Sequence, residues 1–308
     1  MSDIGGTELA SDALPADIVQ QPGDTVPQPG DIVKRHRLST RIWHWTNALT
    51  LLVMLMSGLM IFNAHPRLYW GQYGANAKPD AAWLVIGDVG DTGYVEFAGA
   101  RVSTTGVLGI WKNPQGEVKR RAFPYYVTIP SAYDLEAARR WHFFFAWILA
   151  FGLAAYMARS LFNRHISQDL HIRKWEWSPK HIWQDIKDHA RLKFPTGAEA
   201  LKYNILQKLA YISVIFVLLP LMIFTGLTMS PAIGAAWPWL LDVFGGRQSA
   251  RSLHFICAAG LVAFFFVHMA MVILAGPINE VRSIITGRLR LPGKREVASE
   301  PVAQGEVA

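Results

Sequence analysis

Four apolar runs interrupt an otherwise polar chain, at about 42–62, 141–162, 205–229 and 252–276. Each is close to the roughly 20 residues that a helix needs to cross a bilayer. Stretches such as LLVMLMSGLMIF and WHFFFAWILAFGLAAYMARSLF lack the alternation of a barrel strand, so helices are predicted. Pro220 lies inside the third run and predicts a kink, and Gly276-Pro277 closes the fourth. Residues 1–33 are polar, acidic and rich in Pro and Gly, without the pattern of a signal peptide. They are expected to form a disordered tail, as are residues 291–308. The loop 63–138 is too long for a plain connection. Its turn residues Gly71, Gly74, Pro79, Gly87 and Gly90, and β-prone runs such as YYVTI, predict a small folded cap. Within the loop 163–204, residues 179–193 place Ile182, Ile186 and His189 on one face, as in an amphipathic surface helix. The expected fold is an all-α membrane protein: a four-helix transmembrane bundle over 34–290 with a large extracytoplasmic loop cap between its first two helices. No strong internal repeat is evident; MSGLMIF and FTGLTMS, in the first and third runs, share only a short likeness.

Composition supports this reading and adds an orientation. Of the 308 residues 51% are hydrophobic and only 17% charged, and twelve Trp suit the two membrane–water interfaces. The net charge of +7 is gathered beside the apolar runs, which points to acidic lipid headgroups and topology rather than nucleic acid. Lys34, Arg35, Arg37 and Arg41 precede the first run. Arg282, Arg288, Arg290, Lys294 and Arg295 follow the fourth, and eight basic residues lie in 163–204. Both termini are therefore expected in the cytoplasm of a bacterial inner (plasma) membrane, with 63–138 outside. The single Cys257 excludes an internal disulfide, and without C-x-x-C-H covalent c-type haem is excluded too.

Ten histidines are present, and four lie within or at the mouths of the apolar runs: His44, His142, His254 and His268. An ionisable residue there is costly and marks a functional site by default. His254 and His268 are 14 residues apart. On a helix that spacing brings them within about 40° of one face, ~21 Å apart along the axis. In a hydrocarbon core of about 30 Å, one sits towards each face. Chain direction matches His142 with His254 in depth at the outer side, and His44 with His268 at the inner side. Each pair suits the two axial positions of a haem iron, giving two haem b, whereas the separation forbids one compact zinc site. Arg41, Arg139 and Arg251 each stand three residues before a histidine, on the same helix face, as candidates for haem propionates. Gly58, Gly152, Gly226 and Gly260 leave room either for a porphyrin edge or for close helix packing. The Phe143–Phe145 and Phe264–Phe266 triplets are read as lipid-facing or core-packing first, and haem-lining second.

The segments RLSTRIWHWTNALT, RRWHFFFAW, KYNILQK and RSLH…FFFVH resemble the bacterial dihaem cytochrome b family over roughly 34–290. That family includes the formate dehydrogenase gamma and nickel–iron hydrogenase cytochrome b subunits, and the likeness is nearest to the thiosulfate-reductase type. The resemblance implies one haem histidine on each of the first two helices and two on the fourth. It also implies a quinone as exchangeable electron carrier, bound by Asn204 and Gln207 near His268, with Leu206 where some members carry glycine. It further implies an extracytoplasmic redox partner docked near 63–138, of a kind that accompanies molybdenum enzymes. Such a chain is an electron-transfer subunit of an oxidoreductase complex rather than a stand-alone enzyme. The alternatives are a stand-alone b561-like transmembrane oxidoreductase and a haem-free membrane anchor or transporter.

Overall fold

A computed structural model describes residues 28–76, 80–162, 172, 177–191 and 204–292. The expected tails up to residue 27 and from 293, and most of the loop 163–204, lie outside the described residues. The chain divides into two compact units: Met1–Arg41, Asn163–Leu209 and Ala270–Ala308 form one, and Ile42–Phe162 with Ala210–Met269 the other.

In chain order the elements are β1 (Ile32–Lys34), α1 (Leu38–Phe62), β2 (Arg67–Leu68), β3 (Leu84–Val89), β4 (Thr92–Phe97), β5 (Ala100–Ser103), β6 (Gly109–Lys112) and β7 (Val118–Arg121). Then follow α2 (Leu135–Phe162), α3 (Pro179–Ala190), α4 (Ile205–Met229), α5 (Pro231–Ala236), α6 (Trp239–Val243), α7 (Arg247–Ala275), α8 (Pro277–Thr286) and β8 (Arg288–Arg290). Four helices, α1, α2, α4 and α7, are long and apolar enough to cross a membrane. Three of them begin earlier than their apolar runs, because polar first turns such as Leu38–Arg41 and Arg247–Arg251 are helical as well.

In the second unit the four spans share one core. Met54 of α1, Leu149 and Leu153 of α2 and Leu219 of α4 are buried together, with Leu261 of α7 packed on them. Pro220 acts on α4 through winding. Residues Ser213–Leu218 are π-helical, and Leu219 N–H donates to the carbonyl of Val214, five residues back. Proline has no N–H for the usual bond, and its ring crowds the carbonyl four residues earlier. A π turn just before it re-routes the neighbouring bonds.

The expectation of an all-α chain is corrected between α1 and α2. Strands β2-β3-β4-β5 form an antiparallel sheet, and β6 and β7 a separate hairpin. Turn chemistry explains the sheet. Gly90 (φ 59°) opens the two-residue β3–β4 turn, and Ala98 (φ 48°) with Gly99 (φ 86°) makes the β4–β5 turn. The backbones of sheet and hairpin then meet closely: a Cβ on Gly93 would stand 2.3 Å from the Leu108 carbonyl oxygen. The run YYVTI is not a strand: Tyr125–Val127 is a 3-10 turn. Pro124 and Pro130 flank it, and proline cannot donate to a ladder.

This β segment is tied to the C-terminal end of α1 and the N-terminal end of α7. Phe62, Leu68, Leu84 and Ile86 are buried together against Trp83 and Phe255. Ser252 Oγ donates to the Tyr69 carbonyl and accepts from Trp83 Nε1 at 3.0 Å. Ser249 Oγ accepts from Gly71 N–H at 2.7 Å. Asn63 exchanges two hydrogen bonds with the Phe123 backbone, at 3.1 and 2.7 Å.

In the first unit, β1 pairs antiparallel with β8. Val33 packs on buried Leu289 and Leu291, and Arg35 bonds Glu280 at 3.1 Å. The tail boundary expected at residue 33 is corrected by this pairing: Ile32 and Val33 lie in the strand, and Leu291 packs beside it. A three-residue strand carries too little periodicity to be read from sequence alone. The amphipathic helix over 179–193 is found as α3, ending at Ala190.

Ser252 is fully buried and serves both a carbonyl and an indole N–H. Ser252→Ala leaves both unpaired and is expected to cost about 1–3 kcal/mol. Faster limited proteolysis between residues 63 and 134 of the solubilised protein checks this; an unchanged cleavage rate counts against it.

Candidate functional site

Helix α7 carries both His254 and His268, and each meets a second imidazole within the second unit. The rings of His142 (α2) and His254 lie 6.3 Å apart between centroids. Those of His44 (α1) and His268 lie 6.4 Å apart. The sequence-derived pairs are the pairs that the fold brings together. The earlier start of α1, at Leu38, puts His44 well inside the helix and brings it to the depth of His268. The shared core of the four spans occupies the stretch of helix between the two pairs, with Leu261 seven residues from each α7 histidine.

The His142–His254 pair is held by side chains that sequence reasoning missed. His142 Nδ1 lies 3.1 Å from Ser57 Oγ and 3.1 Å from the Met54 carbonyl, both on α1. His254 Nδ1 lies 3.0 Å from Thr225 Oγ1 on α4, and the His254 side chain also bonds the Met222 backbone. The glycine after each hydroxyl residue faces the same ring. A Cβ on Gly58 would stand 3.3 Å from His142 Cε1, and one on Gly226 3.4 Å from His254 Cε1. In the His44–His268 pair, His44 Nδ1 is buried with no hydrogen-bond partner among the described residues, and Phe264 stacks on His268 at 5.8 Å. The signal that could have found Ser57 and Thr225 was the likeness of MSGL and FTGL.

The remaining glycines divide by role. Gly152 makes room for the Trp43 ring, which a Cβ there would strike, and Gly260 faces Leu218 at 3.5 Å. These two serve helix packing. Phe143, Phe144, Phe265 and Phe266 are exposed on the spans, as lipid-facing residues are.

The three arginines have different surroundings. Arg41 donates to the Ile285 carbonyl, at the end of α8. Arg251 donates to the carbonyls of His65 and Arg67 and lies over the Phe62 ring at 5.3 Å. Arg139 is exposed on α2. Beside Arg251, burial first and then the Arg251 and Arg67 charges hold His65, outside the spans, below the usual imidazole range. Asn204 and Gln207 form a reciprocal helix cap at the start of α4. Gln207 N–H donates to Asn204 Oδ1 at 2.9 Å, and Asn204 N–H to Gln207 Oε1 at 3.3 Å.

Among the described residues, no three or more His, Cys, Asp or Glu side chains gather into a metal cage. Two facing imidazoles are a different donor set. They suit an iron whose other four positions are filled by a porphyrin. Two metal–nitrogen bonds of ~2 Å plus half of each ring span ~6 Å, in keeping with the observed centroid separations.

The family model for prokaryotic cytochrome b561 matches residues 35–287. The chain belongs to the prokaryotic cytochrome b561 family. It is a membrane cytochrome, and the family implies haem b. The cytochrome is also similar to a candidate protein-methionine-sulfoxide reductase subunit, YedZ1, of Azospira oryzae. The two are 32% identical over 154 residues, which is 49% of this chain and 74% of that protein. No solved structure matches the chain. The paired imidazoles fit haem b, and the electron-transfer role expected from sequence fits the family.

Asn204→Ala removes the cap and is expected to lower stability by about 1 kcal/mol, read as thermal unfolding of the solubilised cytochrome. If quinol-driven haem reduction also fails in protein that stays folded, Asn204 touches the quinone as well.

Proposed function

We propose that the cytochrome is a dihaem electron conduit between the quinone pool and an extracytoplasmic oxidoreductase subunit. The observation that carries this reading is that both histidines of α7 face a second imidazole, at 6.3 and 6.4 Å, 14 residues apart on one helix. His142 with His254 would hold the outer haem, and His44 with His268 the inner one. When bound, haem iron supplies one-electron chemistry. The protein keeps the four imidazoles at two depths, with the packed cluster of Met54, Leu149, Leu153 and Leu219 between the pairs.

The orientation follows from charge, with both termini cytoplasmic and the β segment between α1 and α2 as an extracytoplasmic cap. The cap is tied to the end of α7 that carries His254, through Ser249, Arg251 and Ser252. A redox partner docked on it would therefore be next to the outer pair. The Azospira oryzae relative, named for a methionine sulfoxide reductase, favours an oxidoreductase catalytic subunit as that partner. The resemblance to thiosulfate-reductase-type subunits favours a molybdenum enzyme. Arg139, exposed near His142, is the best placed of the three arginines for a propionate, since Arg41 and Arg251 already serve carbonyls. Asn204 and Gln207 remain the candidates for the quinone at the inner mouth of α4.

Two haems are expected per chain in the purified cytochrome, with the α-band of reduced haem b. His142→Ala and His268→Ala should each remove one haem, and His268→Ala should also abolish quinone reactivity. Full haem content in either variant sinks the pairing. A protein with no haem spectrum at all would leave the anchor or transporter reading standing.

A further inference from the structure

Spans α1 and α4 carry the same six-residue pattern at the outer pair. Met54-Leu55-Met56-Ser57-Gly58-Leu59 and Met222-Ile223-Phe224-Thr225-Gly226-Leu227 share methionine, hydroxyl residue, glycine and leucine at equal spacing. In each copy the hydroxyl meets one Nδ1, the methionine backbone bonds the same imidazole, and the glycine lies under the same ring. Both hydroxyl residues are fully buried.

Proton accounting fixes what these contacts do. A hydroxyl has one hydrogen to donate. Ser57 Oγ gives its own to the Val53 carbonyl at 2.6 Å, and Thr225 Oγ1 to the Leu221 carbonyl at 2.5 Å. Towards the imidazole each hydroxyl can then only accept, so Nδ1 is the nitrogen that carries hydrogen in His142 and in His254. Nε2 is left with the lone pair that a metal needs. Donation from Nδ1–H also makes the imidazole a more basic ligand, which favours ferric over ferrous iron. The inner pair lacks this arrangement on its α1 member, since His44 Nδ1 has no hydrogen-bond partner among the described residues.

We propose that Ser57-Gly58 and Thr225-Gly226 are two copies of one positioning device, which fixes the tautomer of His142 and His254 and lowers the reduction potential of the single haem they share. The inference rests on the bis-histidine reading above. It makes Ser57 and Thr225 positioning residues that act through the two imidazoles, from two different helices, on one iron.

The test is an optical redox titration of the purified full-length cytochrome, resolved into its two haem components. Ser57→Ala and Thr225→Val should each raise the potential of the same component and leave the other where it was. The shift should reach up to about tenfold in the reduction equilibrium, or ~59 mV for a one-electron couple. The swaps Ser57→Thr and Thr225→Ser keep the hydroxyl and should keep the wild-type potential. They carry the test if the hydroxyl-free variants do not accumulate: a folded swap with a shifted potential overturns the proposal. So do hydroxyl-free variants that keep their haem with both potentials unmoved, or that move different components. Failure of the underlying reading looks different, as wild-type protein without haem b or a His142→Ala variant that retains both haems.

Discussion

Hydrocarbon offers no hydrogen bonds, so a polar group in the four spans is costly unless it finds a partner inside the protein. Ser57, Thr225 and Thr228 answer this by bonding the carbonyl four residues back along their own helices. The answer has a side effect for the first two. With their hydrogens committed, their oxygens can only receive, and what they receive is the N–H of a histidine on a neighbouring span. The layer between the histidine pairs is filled chiefly by apolar side chains, Met54, Leu149, Leu153 and Leu219.

The membrane part of the fold was largely legible in the sequence, because length and hydropathy are what a bilayer selects. The four spans and the two histidine pairs follow from run length and from the 14-residue spacing on one helix. Helix starts were read late at Leu38, Leu135 and Arg247, since their first turns are polar and hydropathy does not register them. The segment between α1 and α2 was legible only as something folded. Its strands lie at LVIGDV and TGYVEF and are set by hairpin turns, whereas the β-branched YYVTI is held out of the sheet by its flanking prolines. Strand propensity describes fit to a sheet that must already be there.

The candidate site shows a similar division. Which histidines face each other is a matter of depth along known helices, and depth can be counted. Which groups face the far side of each ring depends on the rotation of α1 and α4 against α2 and α7, and that cannot be counted from one sequence. The arginines make the same point. Three share the spacing R-x-x-H, yet Arg41 serves the end of α8, Arg251 serves the β segment and Arg139 faces outward. Equal spacing within one helix does not specify what the neighbouring chain presents.

The π turn of α4 bears on this rotation. A helix that is overwound or underwound by one residue turns everything after it by about 100°. Residues Ser213–Leu218 introduce such an offset seven to twelve residues before Thr225. Were the same six residues wound as ordinary α-helix, everything after them would turn by about 100°. Thr225 and Gly226 would then swing away from His254, although neither they nor the histidine had changed. The segment acts as a phase spacer: its wide winding absorbs one residue, and that keeps Thr225 and Gly226 facing His254.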